Sequence, residues 1–218
     1  MTLTVLLGAP GAGKGTVAAR IAGPLHARHV STGAMLRDAV KDETPAGLVA
    51  KGNMARGELV PNSVLADMIG EMLAAAPADA RFLLDGFPRN VPQAEILADL
   101  APQYGAEVDC AVLIEVPQNI ILNRLGGRRV CPVCGANFHV RTLKPRREGL
   151  CDSCGAELVE RMDDQPDTIR KRLAIYEEQT APLAAWYEHR GMLRRVDGSA
   201  DADSVAETVR LSLATQPG

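Results

Sequence analysis

The stretch Gly8-Ala9-Pro10-Gly11-Ala12-Gly13-Lys14-Gly15-Thr16 decides the fold of this chain. It satisfies G-x-x-x-x-G-K, and it follows the short apolar run TLTVLL at Thr2–Leu7, which is rich in β-branched residues and closed by Gly8. A helical pattern comes next, so the motif stands in the strand–loop–helix setting that gives it meaning. Glycines let the backbone turn its N–H groups inward as a nest, the following helix aims its positive end at the same point, and Lys14 adds a mobile cation. Gly11, Ala12, Gly13, Lys14, Gly15 and Thr16 are therefore candidate ligands for a polyphosphate. Gly15 stands where a hydroxyl usually follows the lysine, and the hydroxyl comes one residue later, at Thr16.

Outward from the loop, apolar runs over residues 82–85, 110–116 and 192–196 read as further buried strands. Between them lie helical patterns: two short ones over residues 34–51 broken near Pro45, one over 62–75 with Asn62 as its cap, and one over 91–100. Another runs from about residue 168 towards Gly191, and a last amphipathic helix ends near Leu213. Strands alternating with helices predict a doubly wound parallel α/β sheet. The 218 residues suffice for one such domain with inserts. Hydrophobic content of 46% and charge of 23% are ordinary, but aromatics at 3% put the core on Leu, Val, Ala and Ile. A formal charge of −3 offers no global pull on nucleic acid or acidic membranes, so an anion site must be built locally. No apolar run is long enough to span a bilayer, and MTLTVLLGAP has neither a basic n-region nor a cleavage site. The expected location is the cytoplasm.

Between residues 126 and 164 periodicity gives way to Gly, Cys, Pro and Arg, the composition of an insertion. Cys131-Pro-Val-Cys134 and Cys151-Asp-Ser-Cys154 are separated by sixteen residues, which suits a zinc site. Four thiolates close a tetrahedron and leave no position for water, so the metal is expected to be structural. Taken alone, the segment with Arg141, Lys144, Arg146 and Arg147 also fits a nucleic-acid-binding zinc ribbon. Cys110 lies in an apolar run as a small hydrophobe, and the four histidines share no ligand spacing.

Five motifs then occur in one order: GAPGAGKGT at residues 8–16, STG at 31–33, LLDGFPR at 83–89, GRR at 127–129 and RMDDQ at 161–165. Together they resemble the adenylate kinases over nearly the whole chain. The resemblance implies a P-loop core with a five-stranded parallel sheet, formed by residues 1–30, 61–126 and 165–218. It also implies a small helical NMP-binding insert at 31–60 and a lid at 127–164 that carries the zinc knuckles.

The activity implied is reversible Mg²⁺-dependent transfer of the ATP γ-phosphoryl group to AMP, giving two ADP. No nucleic-acid or membrane partner is implied, and a monomer is expected. By the same resemblance Lys14, Arg89, Arg128, Arg161 and Arg172 neutralise the transferring phosphates. Asp163 and Asp164 orient arginines at lid closure, and Asp85 holds the water shell of Mg²⁺. ATP is implied to meet residues 11–16, Arg128 stacked on its base, Asn137, Phe138 and Ala200. AMP is implied to meet Thr32, Arg37, Glu58, Leu59, Val60, Gly86, Arg89, Gln93, Arg161 and Arg172. Ala34, where the family usually has an acidic residue, and Asn90, where it usually has threonine, leave a UMP/CMP-like acceptor open.

Overall fold

The structure, a computed structural model, describes residues 1–214. Strand β1 (Thr2–Leu7) leads through the glycine loop into α1 (Lys14–Ile21) and on to β2 (Arg28–Ser31). Helices α2 (Thr32–Lys41), α3 (Pro45–Ala55) and α4 (Asn62–Ala74) precede β3 (Arg81–Asp85), α5 (Val91–Leu100) and β4 (Glu107–Glu115). Helix α6 (Gln118–Gly126) gives way to a small antiparallel hairpin, β5 (Arg128–Val130) and β6 (Asn137–His139). The chain then runs through α7 (Pro166–Ile175), α8 (Pro182–Glu188), β7 (Leu193–Asp197) and α9 (Ala202–Ala214). The five-stranded sheet has the order β2-β3-β1-β4-β7, and every neighbouring pair is parallel, as the alternation of strands and helices predicts.

Side chains of a strand alternate between faces, and here both faces are covered, which is why the strands read as unbroken apolar runs. Leu3, Val5 and Leu7 of β1 join Phe82 and Leu84 of β3 in the core beneath α4 and α5. Leu6, Leu83, Val112 and Ile114 point the other way, towards Val17, Ile21 and Val209 of α1 and α9. Register brings Leu6 opposite Asp85, and Asp85 opposite Ser31. The carboxyl ends of three strands thus finish level, and the glycine loop, Asp85 and the start of α2 share one edge of the sheet, where such folds bind ligands.

Three local readings differ from the sequence expectation. The fifth strand, β2, was not visible as an apolar run: of its four residues RHVS only Val30 is buried. Asn62 does not cap α4, because Pro61 holds the cap position and Asn62 begins the helix. The single helix expected over residues 168–191 is two helices joined by a π-turn, Tyr176–Thr180. Pro182 has no N–H and its ring crowds the carbonyl four residues back, so the chain widens there. Elsewhere the break near Pro45 is as expected, with Thr44 accepting the Gly47 N–H at 3.1 Å and Pro45 opening α3. Among the described residues no helix is long and apolar enough to cross a membrane.

Candidate active site and metal centre

A cavity of about 1820 Å³ opens at the carboxyl edge of the sheet, between the glycine loop, α2 and α3 on one side and the β5–β6 hairpin on the other. Gly13 caps α1 in the left-handed conformation at φ 101°, so the loop turns in without a side chain in the way. Lys14 reaches back over this turn and donates to the carbonyl oxygens of Gly8 at 2.7 Å and Ala9 at 3.1 Å. Burial lowers its pKa to about 8, opposed by Asp85 and reinforced by Arg89, Arg172 and Arg128.

Arginines ring the same space. Burial lowers Arg37 to about 10, with Arg161 and Arg128 adding repulsion. Burial also lowers Arg172 to about 10, and Arg128 and Arg161 again act against its charge. Arg89 is held below its ordinary value, chiefly by burial. Cations crowded together at a desolvated cavity wall are an arrangement that an anionic ligand would relieve.

The carboxylates are placed to limit that repulsion. Asp164, with a side chain fully excluded from solvent, accepts from Arg128 Nε at 2.6 Å and Nη2 at 2.5 Å, and from Arg172 Nη1 at 3.0 Å. Asp163 receives Arg161 through Nε at 2.8 Å and Nη2 at 2.6 Å. Burial works against its charge, yet Arg172, Arg161 and Arg128 together hold its pKa at about 2. The two-pronged geometry of these pairs is the strong form of the arginine–carboxylate contact. A 3₁₀ turn at Met162–Asp164 presents both acids just ahead of α7, and both engage arginines.

Asp85 stands across from Lys14. Burial raises its pKa, but His29, Lys14 and Arg89 outweigh that and keep the carboxylate ionised. His29 Nε2 lies 3.6 Å from it, too far for a hydrogen bond, and is the one buried side-chain polar atom without a partner among the described residues. An ionised carboxylate facing the phosphate loop without direct donors fits a cation that keeps its own water shell.

Of the expected acceptor set, Glu58, Leu59 and Val60 line the cavity, and Glu58 bridges Lys171 at 2.8 Å and Arg56 at 2.8 Å. Thr32 is buried and donates to the Asp85 carbonyl at 3.3 Å. Gly86 needs its glycine: φ is +90°, and a Cβ there would meet Thr32 Oγ1 at 2.8 Å and Arg89 Nη2 at 3.1 Å. Gln93 does not reach the cavity wall. It is fully buried, accepts the Arg89 N–H at 2.7 Å and donates to Asn62 Oδ1 at 2.9 Å. Asn90 caps α5 by accepting the Gln93 N–H at 2.9 Å, a task that threonine also performs, so its presence is explained without reference to a base.

Asn137, Phe138 and Ala200 line the cavity at its far side, as does Arg128, whose fork is engaged along its edge by Asp164. Arg124 is a residue that sequence reasoning missed. It donates to the carbonyls of Ala12 at 3.2 Å, Gly198 at 2.9 Å and Ala200 at 3.0 Å, tying the phosphate loop to the loop after β7. Its only signal was its place one helical turn before Arg128.

In the insert the four cysteine sulfurs all lie within 4.8 Å of one another. Cys131 and Cys154 are 3.3 Å apart and Cys134 and Cys151 3.4 Å, near the roughly 3.8 Å edge of a tetrahedron built on zinc–sulfur bonds of about 2.3 Å. The two knuckles repeat one pattern. Cys131 N–H binds Ala136 O at 2.9 Å and Gly135 N–H returns to Cys131 O at 3.0 Å; Cys151 N–H binds Ala156 O at 2.8 Å and Gly155 N–H returns to Cys151 O at 2.9 Å. The backbone N–H of Cys134 is the main cause drawing the Cys131 thiol below its ordinary value, while hydrogen bonds to neighbouring sulfurs hold Cys134 and Cys154 above theirs, so the four thiols act on one another's protons as a group.

The adenylate kinase family model matches residues 6–192. An adenylate kinase of Carboxydothermus hydrogenoformans is 44% identical over 96% of this chain and 98% of its own length. Those of Syntrophobacter fumaroxidans, 47% identical, and Lachnospira eligens, 44% identical, each align over 92% of this chain and 94% of their own.

Proposed function

The chain belongs to the adenylate kinase family, and from that premise we propose how its own residues carry the family's reaction. It is a phosphotransferase that moves the ATP γ-phosphoryl group to AMP and back. The observation that carries the assignment of roles is the convergence of Lys14, Arg37, Arg89, Arg128, Arg161 and Arg172 on one cavity above the glycine loop.

The donor triphosphate lies in the nest of residues 11–16. Lys14 leaves the Gly8 and Ala9 carbonyls for the β- and γ-phosphates. Arg37 and Arg89 grip the acceptor phosphate, and Arg128, Arg161 and Arg172 surround the group in flight. Phosphoryl transfer asks little covalent chemistry of a protein, so positioning and charge neutralisation supply most of the catalysis. Asp163 and Asp164 hold the arginine forks at fixed angles and abstract no proton. Arg124 fixes the phosphate loop against the loop carrying Ala200. Asp85 takes the water shell of Mg²⁺, which, when bound with ATP, draws charge from the phosphate oxygens. Residues 127–164 act as a lid that excludes water, and Zn²⁺ on Cys131, Cys134, Cys151 and Cys154 ties that lid together.

The test is turnover of Mg·ATP against a panel of AMP, UMP and CMP. AMP is expected to be the preferred acceptor, and a Lys14→Ala variant is expected to lose at least a hundredfold in kcat, in line with electrostatic groups of this kind. Full turnover by that variant would reject the role given to Lys14; preference for a pyrimidine monophosphate would reject the acceptor.

A further inference from the structure

We infer that Thr180 is a positioning residue for Arg89, and that the π-turn holding it sets the register that makes this contact. The inference rests on the reading of Arg89 as a grip on the acceptor phosphate.

Arg89 must hold its fork still to work, and its backbone is pinned at both ends. Its N–H binds Gln93 Oε1 at 2.7 Å, and its Nε returns to the Gly86 carbonyl at 2.8 Å. Its own carbonyl accepts from Thr180 Oγ1 at 2.6 Å, across 91 residues of sequence. Among the described residues, no protein hydrogen bond falls on the two terminal nitrogens of the fork, which leaves them for a ligand. Thr180 is the one of these anchors that comes from outside the β3–α5 segment.

The helical register explains how it gets there. Arg172, Tyr176 and Thr180 line the cavity, whereas Glu177, Glu178 and Gln179 are exposed. In an unbroken α-helix at about 100° per residue, Thr180 would lie roughly 80° round from Arg172. The π-turn, closed by Ala181 N–H on Tyr176 O at 2.8 Å, takes up one extra residue. That residue returns about 100°, so Thr180 comes back to the face of Arg172. Pro182 is the sequence feature that favours the wider turn. One continuous segment therefore presents Arg172 to the cavity at one point and steadies Arg89 eight residues later.

Thr180→Val keeps the branched shape and removes the donor, while Thr180→Ser keeps the donor. With ATP saturating, Thr180→Val should lower kcat/KM for AMP about threefold to tenfold, the range one such hydrogen bond commands. The loss should lie in KM for AMP, leave KM for ATP unchanged and be restored by Thr180→Ser. In an Arg89→Ala background the same change should cost no further AMP affinity, measured by equilibrium titration with AMP. Wild-type KM for AMP in Thr180→Val overturns the inference, as does an equal loss for both nucleotides or a failure of serine to rescue. If Arg89→Ala alone leaves AMP affinity intact, the reading of Arg89 fails first and the inference goes with it.

Discussion

At the scale of single residues, Lys14 shows how the site is poised. Its ordinary pKa is near 10.4, and burial holds it at about 8 in the folded chain. The sign follows from linkage: between about pH 8 and 10.5 the unfolded chain binds more protons at this lysine than the folded one, so its contribution to stability rises with pH across that window. A triphosphate placed against Nζ restores the cation, so binding near pH 8.5 should take protons up from the buffer. Calorimetric titration with ATP in two buffers of different ionisation enthalpy measures that uptake, which should vanish in Lys14→Met; an equal uptake in the variant would place the proton elsewhere. Gly86 makes a second case. An alanine there combines strain at φ +90° with contact on Thr32 and Arg89, so Gly86→Ala should raise KM for AMP at least tenfold while KM for ATP holds. Loss of both equally would point to general misfolding. The glycine loop was legible from residues alone because its spacing encodes a backbone shape. Gly86 came only through the resemblance, since a single glycine after a strand says nothing of what lies across from it.

At the scale of elements, the cysteine hairpin is held by few buried apolar side chains, and Val133, Val140 and Val159 are exposed on it. Its order must come from the knuckles. Cys154→Ser should therefore reduce the zinc content below the one ion per chain expected of the parent. It should also open the hairpin to trypsin at Arg141, Arg146 and Arg147, with the far-UV signal of the core retained. Resistance to trypsin equal to that of the parent would show that the hairpin holds itself. Elements that bury an unbroken face were readable, because β1, β3 and β4 each place apolar residues on both sides of the sheet. Strand β2 was not, since an edge strand buries little and RHVS carries no pattern. The π-turn was also hidden: a 3.6-residue period runs through it with one residue too many, and only Pro182 marks the place. Asn62 was misread as a cap because capping chemistry is local, whereas its partner Gln93 lies 31 residues away in sequence.

At the scale of the whole molecule, the fold gathers cations from separated segments into one cavity, and the pairing that makes this tolerable could not be read from the order of residues. The sequence marked Asp163 and Asp164 as a pair, but which arginine each receives depends on how α6, β5 and α7 meet. Asp163 engages Arg161 and Arg172, with its pKa held at about 2 against an unfolded value near 3.9. A depressed carboxylate contributes stability that is present above the unfolded value and is lost as pH falls from about 4 towards 2. The shift corresponds to on the order of 2 kcal/mol, or about 4–8 °C in Tm for a chain of this size. Asp163→Asn should therefore melt lower than the parent at pH 7, and the two curves should converge as pH approaches 2. Part of that loss is unbalanced repulsion among the arginines, which a bound anion also relieves. Saturating inorganic tripolyphosphate should then narrow the gap at pH 7, beyond the rise that ligand binding gives both proteins. Thermal melts of the two proteins at pH 7 and pH 3, where the gap should have narrowed to about half, decide the matter with and without tripolyphosphate. A gap as wide at pH 3 as at pH 7, and unmoved by ligand, would show that Asp163 stabilises the molecule by packing, and that charge balance across the cavity is not its role.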